Sequence, residues 1–340
     1  MNFEIFDEGY YLKRHSFLVP AIEQGIVSSG LDHFQRFGQA AGLTEISRYF
    51  DEDFYLENNP GIQAAVDAGQ FVSGLDHYLQ FGYEEGRTLI SSDYDESFYL
   101  ASNPDIVPFV ENGSFSNGLQ HFAQFGAKEG RFSSSFFEPE YLGNYYFDVA
   151  VPVDAGTFRT GRDHYEQVGQ FDPARFATFV GTREDDVVEA FGLGNNQIAG
   201  VEISLTNGGY DYYYYYYRPT VSESSGRDEF DVLIGSSGGQ DTFILGTTVQ
   251  NPSTFLYESV TYYKGEGEAR IQNFSQADND GIKVVIESFE TYELSPSGAD
   301  LVLSVAGDTL AVIEGGAGLT LTPTNVSGGP SELYQQFTLV

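Results

Sequence analysis

Ser73-Gly-Leu-Asp-His-Tyr-Leu-Gln-Phe-Gly-Tyr-Glu-Glu-Gly-Arg87 decides how the first half of this chain is read, because the phrase returns as Ser29–Gly42, as Asn117–Arg131 and, worn, as Thr160–Gln170. Its central histidines, His33, His77, His121 and His164, stand 44, 44 and 43 residues apart, and His15 is the only other histidine. A fixed period of this size marks a repeat architecture. Ser29, Ser73, Asn117 and Thr160 are competent helix N-caps, and Asp32, Asp76, Gln120 and Asp163 follow three residues later, approximating a capping box. From Leu75 the apolar positions fall at Tyr78 and Gly82, with His77 and Phe81 on an adjoining strip, which predicts a helix wedged between its own copy and the next. Gly82 is expected to permit close approach and Gly86 to close the helix.

Working outward, each copy opens on an acidic-aromatic box: Phe6-Asp7 with Tyr11-Leu12, Phe50-Asp51 with Tyr55-Leu56, Tyr94-Asp95 with Tyr99-Leu100, and Phe137-Glu138 with Tyr141-Leu142. This predicts a short helix capped by the acid. Asn59-Pro60 and Asn103-Pro104 then stop that helix and start another, since proline suits a first helical turn and not an interior. Gly25, Gly69, Gly113 and Gly156 are the expected stops of the second helix. The four copies span about 6–49, 50–93, 94–136 and 137–176. One histidine per copy at identical phase points to a packed, hydrogen-bonded residue, and no pair has the close spacing of a helical zinc site.

These residues resemble the Phe-Asp-x-x-Tyr-Tyr-Leu … Asn-Pro-Asp … Gly-Leu-x-His-Tyr-x-x-Phe-Gly-x-x-Glu-Gly-Arg repeat of cyanobacterial and other bacterial surface and polysaccharide-related proteins. The resemblance implies an accessory or structural module with no catalytic residue in the repeat. The first copy has Phe17-Leu-Val-Pro20 where Asn-Pro is expected, and the fourth has Arg162 for leucine, departures that suit terminal units of a short array.

After Phe176 the pattern changes to alternation punctuated by Gly, Ser, Thr and Asn, which predicts β structure over 177–340. Gly181–Glu189, Phe191–Ala199 and Gly226–Ile234 look like degenerate G-G-x-G-x-D-x-U-x nonapeptides, and Gly235–Phe243 is a fourth with one residue too many. Asp186, Asn196, Asp231 and Asp241 occupy the position of a calcium ligand, and Val188, Ile198 and Leu233 the inward apolar position. This half resembles the terminal region of secreted RTX (repeats-in-toxin) calcium-binding proteins of the cyanobacterial type, also through Gly239–Gly246, Ala269–Phe274 with Asp280-Gly-Ile282, and Asp300–Ile313. The resemblance implies leaderless type I export and calcium-dependent folding outside the cell. Asn196 replaces aspartate and Glu184 a glycine, so two readings stand: calcium-holding turns, or a glycine-rich β-roll without ions.

Between the nonapeptides lies a tyrosine-rich insertion, 207–219, containing Tyr212, Tyr213, Tyr214, Tyr215, Tyr216 and Tyr217. Six consecutive tyrosines cannot all face inward from a strand, so they form either a surface loop or an aromatic surface for self-association or sugar stacking. Gly235-Ser-Ser-Gly-Gly239 fits the hydrolase G-x-S-x-G elbow, but Thr242-Phe-Ile-Leu245 is strand-like where a helix is required, and no histidine lies beyond His164.

Composition bounds the rest. The 340 residues hold no cysteine, which excludes disulfides and thiol chemistry, and carry a net charge of −34, which repels nucleic acid and anionic lipid. No apolar run is long enough for a transmembrane segment. Met1-Asn-Phe-Glu-Ile-Phe-Asp-Glu8 lacks the basic and apolar regions of a secretory signal. The expectation is an α+β multidomain chain: an N-terminal α-helical repeat array forming a compact rod, then an all-β domain, a degenerate β-roll or β-sandwich. The expected function is a non-enzymatic, calcium-responsive structural or adhesive protein, extracellular or at the cell surface, that self-associates or holds surface polysaccharide. An accessory carbohydrate-binding module and an intracellular scaffold are the alternatives.

Overall fold

Asp7, Asp51 and Asp95 each accept a hydrogen bond from the backbone three residues on, at Tyr10, Phe54 and Phe98, and so open the first helix of each copy, Glu8–Arg14, Glu52–Glu57 and Glu96–Ser102. A computed structural model describes residues 1–204, 221–222, 224–250, 257–285, 291–329 and 332–339; Tyr212 to Tyr217 lie outside them. The N-terminal region is helical and repeated, and the C-terminal region is built of strands. The chain divides into two compact units, Met1–Ser134 with Tyr146–His164, and Ser135–Tyr145 with Tyr165–Val340. The fourth copy is therefore divided, its first helix, Glu138–Asn144, belonging to the β unit.

In the second copy Pro60 is the first residue of the helix Pro60–Asp67, as expected. In the third copy Pro104 stays in a turn, and the helix Val107–Glu111 starts late enough to keep Pro108 within its first turn. The asparagines also close the preceding helix. Asn59 and Asn103 donate side-chain hydrogen bonds to the carbonyls of Tyr55 and Tyr99 at 2.7 and 2.8 Å, covering acceptors that the ending helix exposes. Gly25, Gly69, Gly113 and Gly156 all take positive φ, between 69° and 78°.

The third element of each copy departs from a simple helix. One α-turn (Gly30–His33, Gly74–His77, Gly118–His121) runs into a π-helical turn (Phe34–Gly38, Tyr78–Gly82, Phe122–Gly126). The buried stripe becomes Leu75, Tyr78, Leu79, Gly82 and Tyr83, whereas Phe81, expected on the buried face, is about half exposed. The caps hold: Ser29, Ser73, Asn117 and Thr160 accept from the backbone of Asp32, Asp76, Gln120 and Asp163. The return bonds go one residue further back than a capping box would send them, to the amides of Ser28, Val72, Ser116 and Arg159.

A linear array would let each copy touch only its neighbours. Here Tyr49 of the first copy packs edge-on against Phe122 of the third at 4.8 Å. Arg159 of the fourth copy reaches past the third to Asp51 and Asp93 of the second, at 2.8 and 3.1 Å, while Arg14 of the first donates to the carbonyl of Gly156. The unit is a closed set rather than the rod expected. A continuous aromatic and aliphatic core from Ile5 to Phe122 runs through copies one to three.

In the β unit the strands are β1 (Thr178–Thr182), β2 (Val187–Glu189), β3 (Asn195–Val201), β4 (Ile203–Ser204), β5 (Val221–Ser222), β6 (Phe230–Ile234), β7 (Gln240–Ile244), β8 (Gly246–Gln250), β9 (Tyr257–Thr261), β10 (Glu268–Gln272), β11 (Gly281–Val285), β12 (Tyr292–Ser297), β13 (Asp300–Val305), β14 (Asp308–Ile313), β15 (Leu321–Gly329) and β16 (Glu332–Leu339). One sheet has the order β1-β3-β7-β11-β16-β15 and the other β12-β13-β14-β10-β6-β2. β1, β3, β7 and β11 run parallel, as do β2, β6, β10 and β14. Each coil thus lays one strand in each sheet, the arrangement of a β-roll. The antiparallel pairs β4–β5 and β8–β9 branch out where the chain leaves the first sheet for the second, and at the same point of the next coil β12 and β13 extend the second sheet beyond β14, antiparallel. Inward side chains stack rung on rung: Phe179, Ile198, Phe243 and Ile282 in one sheet, and Val188, Leu233, Ile271 and Ile313 in the other.

Candidate functional site

Two recurring polar constellations hold the residues with chemical potential. In the helical unit the first-helix tyrosine meets the histidine of its own copy: Tyr11 to His33 Nδ1 at 2.9 Å, Tyr55 to His77 at 2.9 Å, and Tyr99 to His121 at 2.7 Å. The same hydroxyl explains the recurring phase of the glycine. A Cβ on Gly82 would stand 2.6 Å from Tyr55 Oη, one on Gly38 would stand 2.9 Å from Tyr11 Oη, and one on Gly126 would strike Tyr99 Oη. In the β unit Tyr141 stands in the same relation to Gly169. Tyrosine, histidine and glycine therefore form one packed triad in each of the first three copies.

The glutamate that opens the first helix completes the frame. Glu8, Glu52 and Glu96 each accept two backbone hydrogen bonds from the first turn of the third element, at Gly30 and Leu31, Gly74 and Leu75, and Gly118 and Leu119, all between 2.6 and 3.0 Å. The carboxylate satisfies amides that a helix start leaves without partners. Burial pushes the pKa of His77 and His121 below the ordinary imidazole value and holds the Tyr55 and Tyr99 hydroxyls well above theirs. The pair is thus neutral, and the tyrosine can donate to Nδ1.

In the β unit the sequence-derived residues Asp186, Asn196, Asp231 and Asp241 do not converge on one point. Asp186 and Asp231 are rungs of one sheet; Asn196 and Asp241 are rungs of the other. Their side chains point inward with the apolar ladder, since each stands two residues before an inward residue: Val188, Ile198, Leu233 or Phe243. Asp231 Oδ1 accepts the Asp186 amide at 2.9 Å, and Asp231 Oδ2 accepts the Tyr263 hydroxyl at 2.6 Å. Asp241 accepts the Asn196 side-chain amide at 3.0 Å and the Ser236 backbone at 2.6 Å. Asp186 accepts the amide and hydroxyl of Thr182 at 2.5 and 2.8 Å. Each carboxylate ties a turn to a strand of its own or a neighbouring coil. Among the described residues, no group of three or more histidine or acidic side chains is placed to hold a metal ion.

Sequence reasoning did not assign Asp280 a site role, although the Asp-x-apolar spacing that marks the other rungs is present in Asp280-Gly-Ile282. Asp280 continues the Asn196–Asp241 ladder, accepting the Asp241 amide at 2.9 Å and the Ser275 amide at 2.7 Å. The tyrosines that serve the ladders carry no local signal. Tyr165 donates to Asn196 Oδ1 at 3.0 Å, and Tyr263 places its hydroxyl on Asp231 from a left-handed backbone, φ 61°, that a bulky residue rarely adopts. Asn196, Asp231, Asp241 and Asp280 are completely buried. Burial pushes Asp231 and Asp280 up to about 7 and Asp241 up to about 6, against the hydrogen bonds that favour the charged form. Neighbouring carboxylates push the same way: Asp185 and Asp186 on Asp231, and Asp278 on both Asp241 and Asp280. Glu229, buried beside Asp231, rises to about 7, chiefly through burial.

No protein-family model, no curated protein and no solved structure matches this chain.

Proposed function

We propose that the chain is a non-enzymatic structural or adhesive protein of the cell surface or extracellular space. The observation that carries this reading is the repetition of its polar chemistry. The histidines of the helical unit and the carboxylates of the roll are used in copy after copy for the same internal contacts, tyrosine to histidine and rung to turn. A catalytic centre needs one arrangement unlike its neighbours, with groups poised toward a substrate. A framework needs what is seen here, one arrangement multiplied.

The charge of −34 suits a protein that keeps away from nucleic acid and anionic membranes, and the resemblance of the second half to leaderless secreted proteins supports a place outside the cell. The roll of this reading is held by its own carboxylate ladders rather than by calcium. Cell fractionation with an antibody to the native chain tests the location. Recovery from the medium or the surface-washed fraction is expected; recovery of folded protein from the cytosol alone would favour the intracellular scaffold.

A further inference from the structure

The histidine of each triad has a second set of aromatic neighbours, and in each of the three copies the phenylalanine four residues after the histidine is half exposed. In the second copy Phe71 meets His77 at 4.9 Å, His77 meets Phe81 at 5.9 Å, and the two phenylalanines are 6.0 Å apart. The third copy repeats the triangle with Phe115, His121 and Phe125 at 5.1, 5.7 and 6.1 Å. In the first copy Val27 stands where Phe71 would be, and the aromatic set is nevertheless present: Phe17, ten residues upstream, meets His33 at 6.2 Å, and His33 meets Phe37 at 5.8 Å.

Phe37, Phe81 and Phe125 are 49%, 48% and 47% exposed. A core does not require phenylalanine at a half-exposed position three times, nor its rebuilding from another part of the chain. Around the rings stand hydrogen-bonding groups. Glu85 Oε2 lies 4.0 Å from His77 Nε2 and is paired with Arg87 at 2.8 Å; Glu129 is paired with Arg131 at 2.7 Å; and the Arg36 guanidinium lies 4.9 Å from the Phe37 centroid.

We propose that the three aromatic sets are stacking platforms for a neutral polysaccharide, the half-exposed phenylalanine taking the C–H face of a sugar ring and the adjoining carboxylate and guanidinium its hydroxyls. Each set is a small cluster of rings rimmed by charged side chains, short of the contiguous, desolvated centre on which a protein partner would anchor. A chain of charge −34 repels a polyanion, which leaves an uncharged polymer. Repetition suits it as well, because weak sites on one body gain affinity together when the ligand repeats.

Affinity electrophoresis of the full chain in gels containing laminarin, dextran or hydroxyethylcellulose, with hyaluronate as the anionic comparison, tests the proposal. Retardation by at least one neutral glucan is expected. Phe125→Leu alone should weaken it about two- to tenfold, and Phe37→Leu, Phe81→Leu and Phe125→Leu together by more than the single substitution. Leucine retains apolar contact while removing the planar face, and circular dichroism of the single variant guards against loss of fold. No retardation by any neutral glucan, equal retardation of all variants, or retardation by hyaluronate alone would overturn the proposal. Light scattering that shows a wild-type oligomer and a monomeric triple variant would overturn it in favour of an interface between copies of this chain.

Discussion

Gly82 shows how tightly a single position is specified in the helical unit. Its Cβ would meet Tyr55 Oη at 2.6 Å and Tyr78 Cδ2 at 3.0 Å, and both rings belong to the packed core. Gly82→Ala is expected to cost about 1–3 kcal/mol, the usual range for overpacking. Tyr55→Phe alone should cost about 1 kcal/mol through its lost bond to His77. The double variant should cost less than the sum, because removing the hydroxyl makes room for the methyl, and urea unfolding of the four proteins of the cycle measures that coupling. Strict additivity would mean that the tyrosine hydroxyl is not what excludes a side chain from this position.

At the scale of the element, part of the design was legible and part was not. Asp7, Asp51 and Asp95 announced helix starts because a cap is a contact over three residues, and Ser73 and Asn117 did so for the same reason. The π-turn Tyr78–Gly82 was not legible, since the tyrosine that fills the space beside it lies in another helix more than twenty residues upstream. In the β half, alternation identified inward Val188, Ile198 and Leu233, but it did not distinguish an aspartate serving an ion from one serving the next coil. That depends on the stacking register, Asn196 over Asp241 and Val187 beside Val232, which is fixed by strands 45 residues apart. The two element types are also expected to respond to pH in opposite senses. His77 and His121 have folded pKa values below 6.5, so their contribution to stability is present above that value and is lost as the pH falls through the depressed values. Asp231 and Asp280 rise from 3.8 to about 7, so their contribution is complete below the unfolded value and is lost as the pH rises through about 7. Hydrogen exchange read by mass spectrometry should therefore show Tyr55–Phe81 losing protection on going from pH 7 to 5. β6 and β7 should lose protection from pH 5 to 8, with a flatter response in Asp231→Asn. A shift of both regions in the same direction would contradict these assignments.

At the scale of the whole molecule, the helical copies are bound by contacts that skip neighbours, and the roll is bound by ladders that cross coils. Arg159 carries much of the first kind: it is paired with Asp51, Asp93 and Asp163, and donates to the carbonyl of Arg48. Arg159→Met would take the guanidinium away from Asp93, 3% exposed, and is expected to lower the stability of the helical unit by about 3 kcal/mol. Thermal unfolding followed by circular dichroism checks this, and an unchanged midpoint would mean that the fourth copy is not what closes the set. The proposal that the carboxylate ladders hold the roll without calcium is tested most directly by unfolding the full chain in EDTA and again in millimolar calcium at constant ionic strength. Equal β-sheet signal and equal midpoints in the two solutions are predicted; a β signal that appears only with calcium would contradict the claim and return Asp186, Asp231 and Asp241 to the role of ligands.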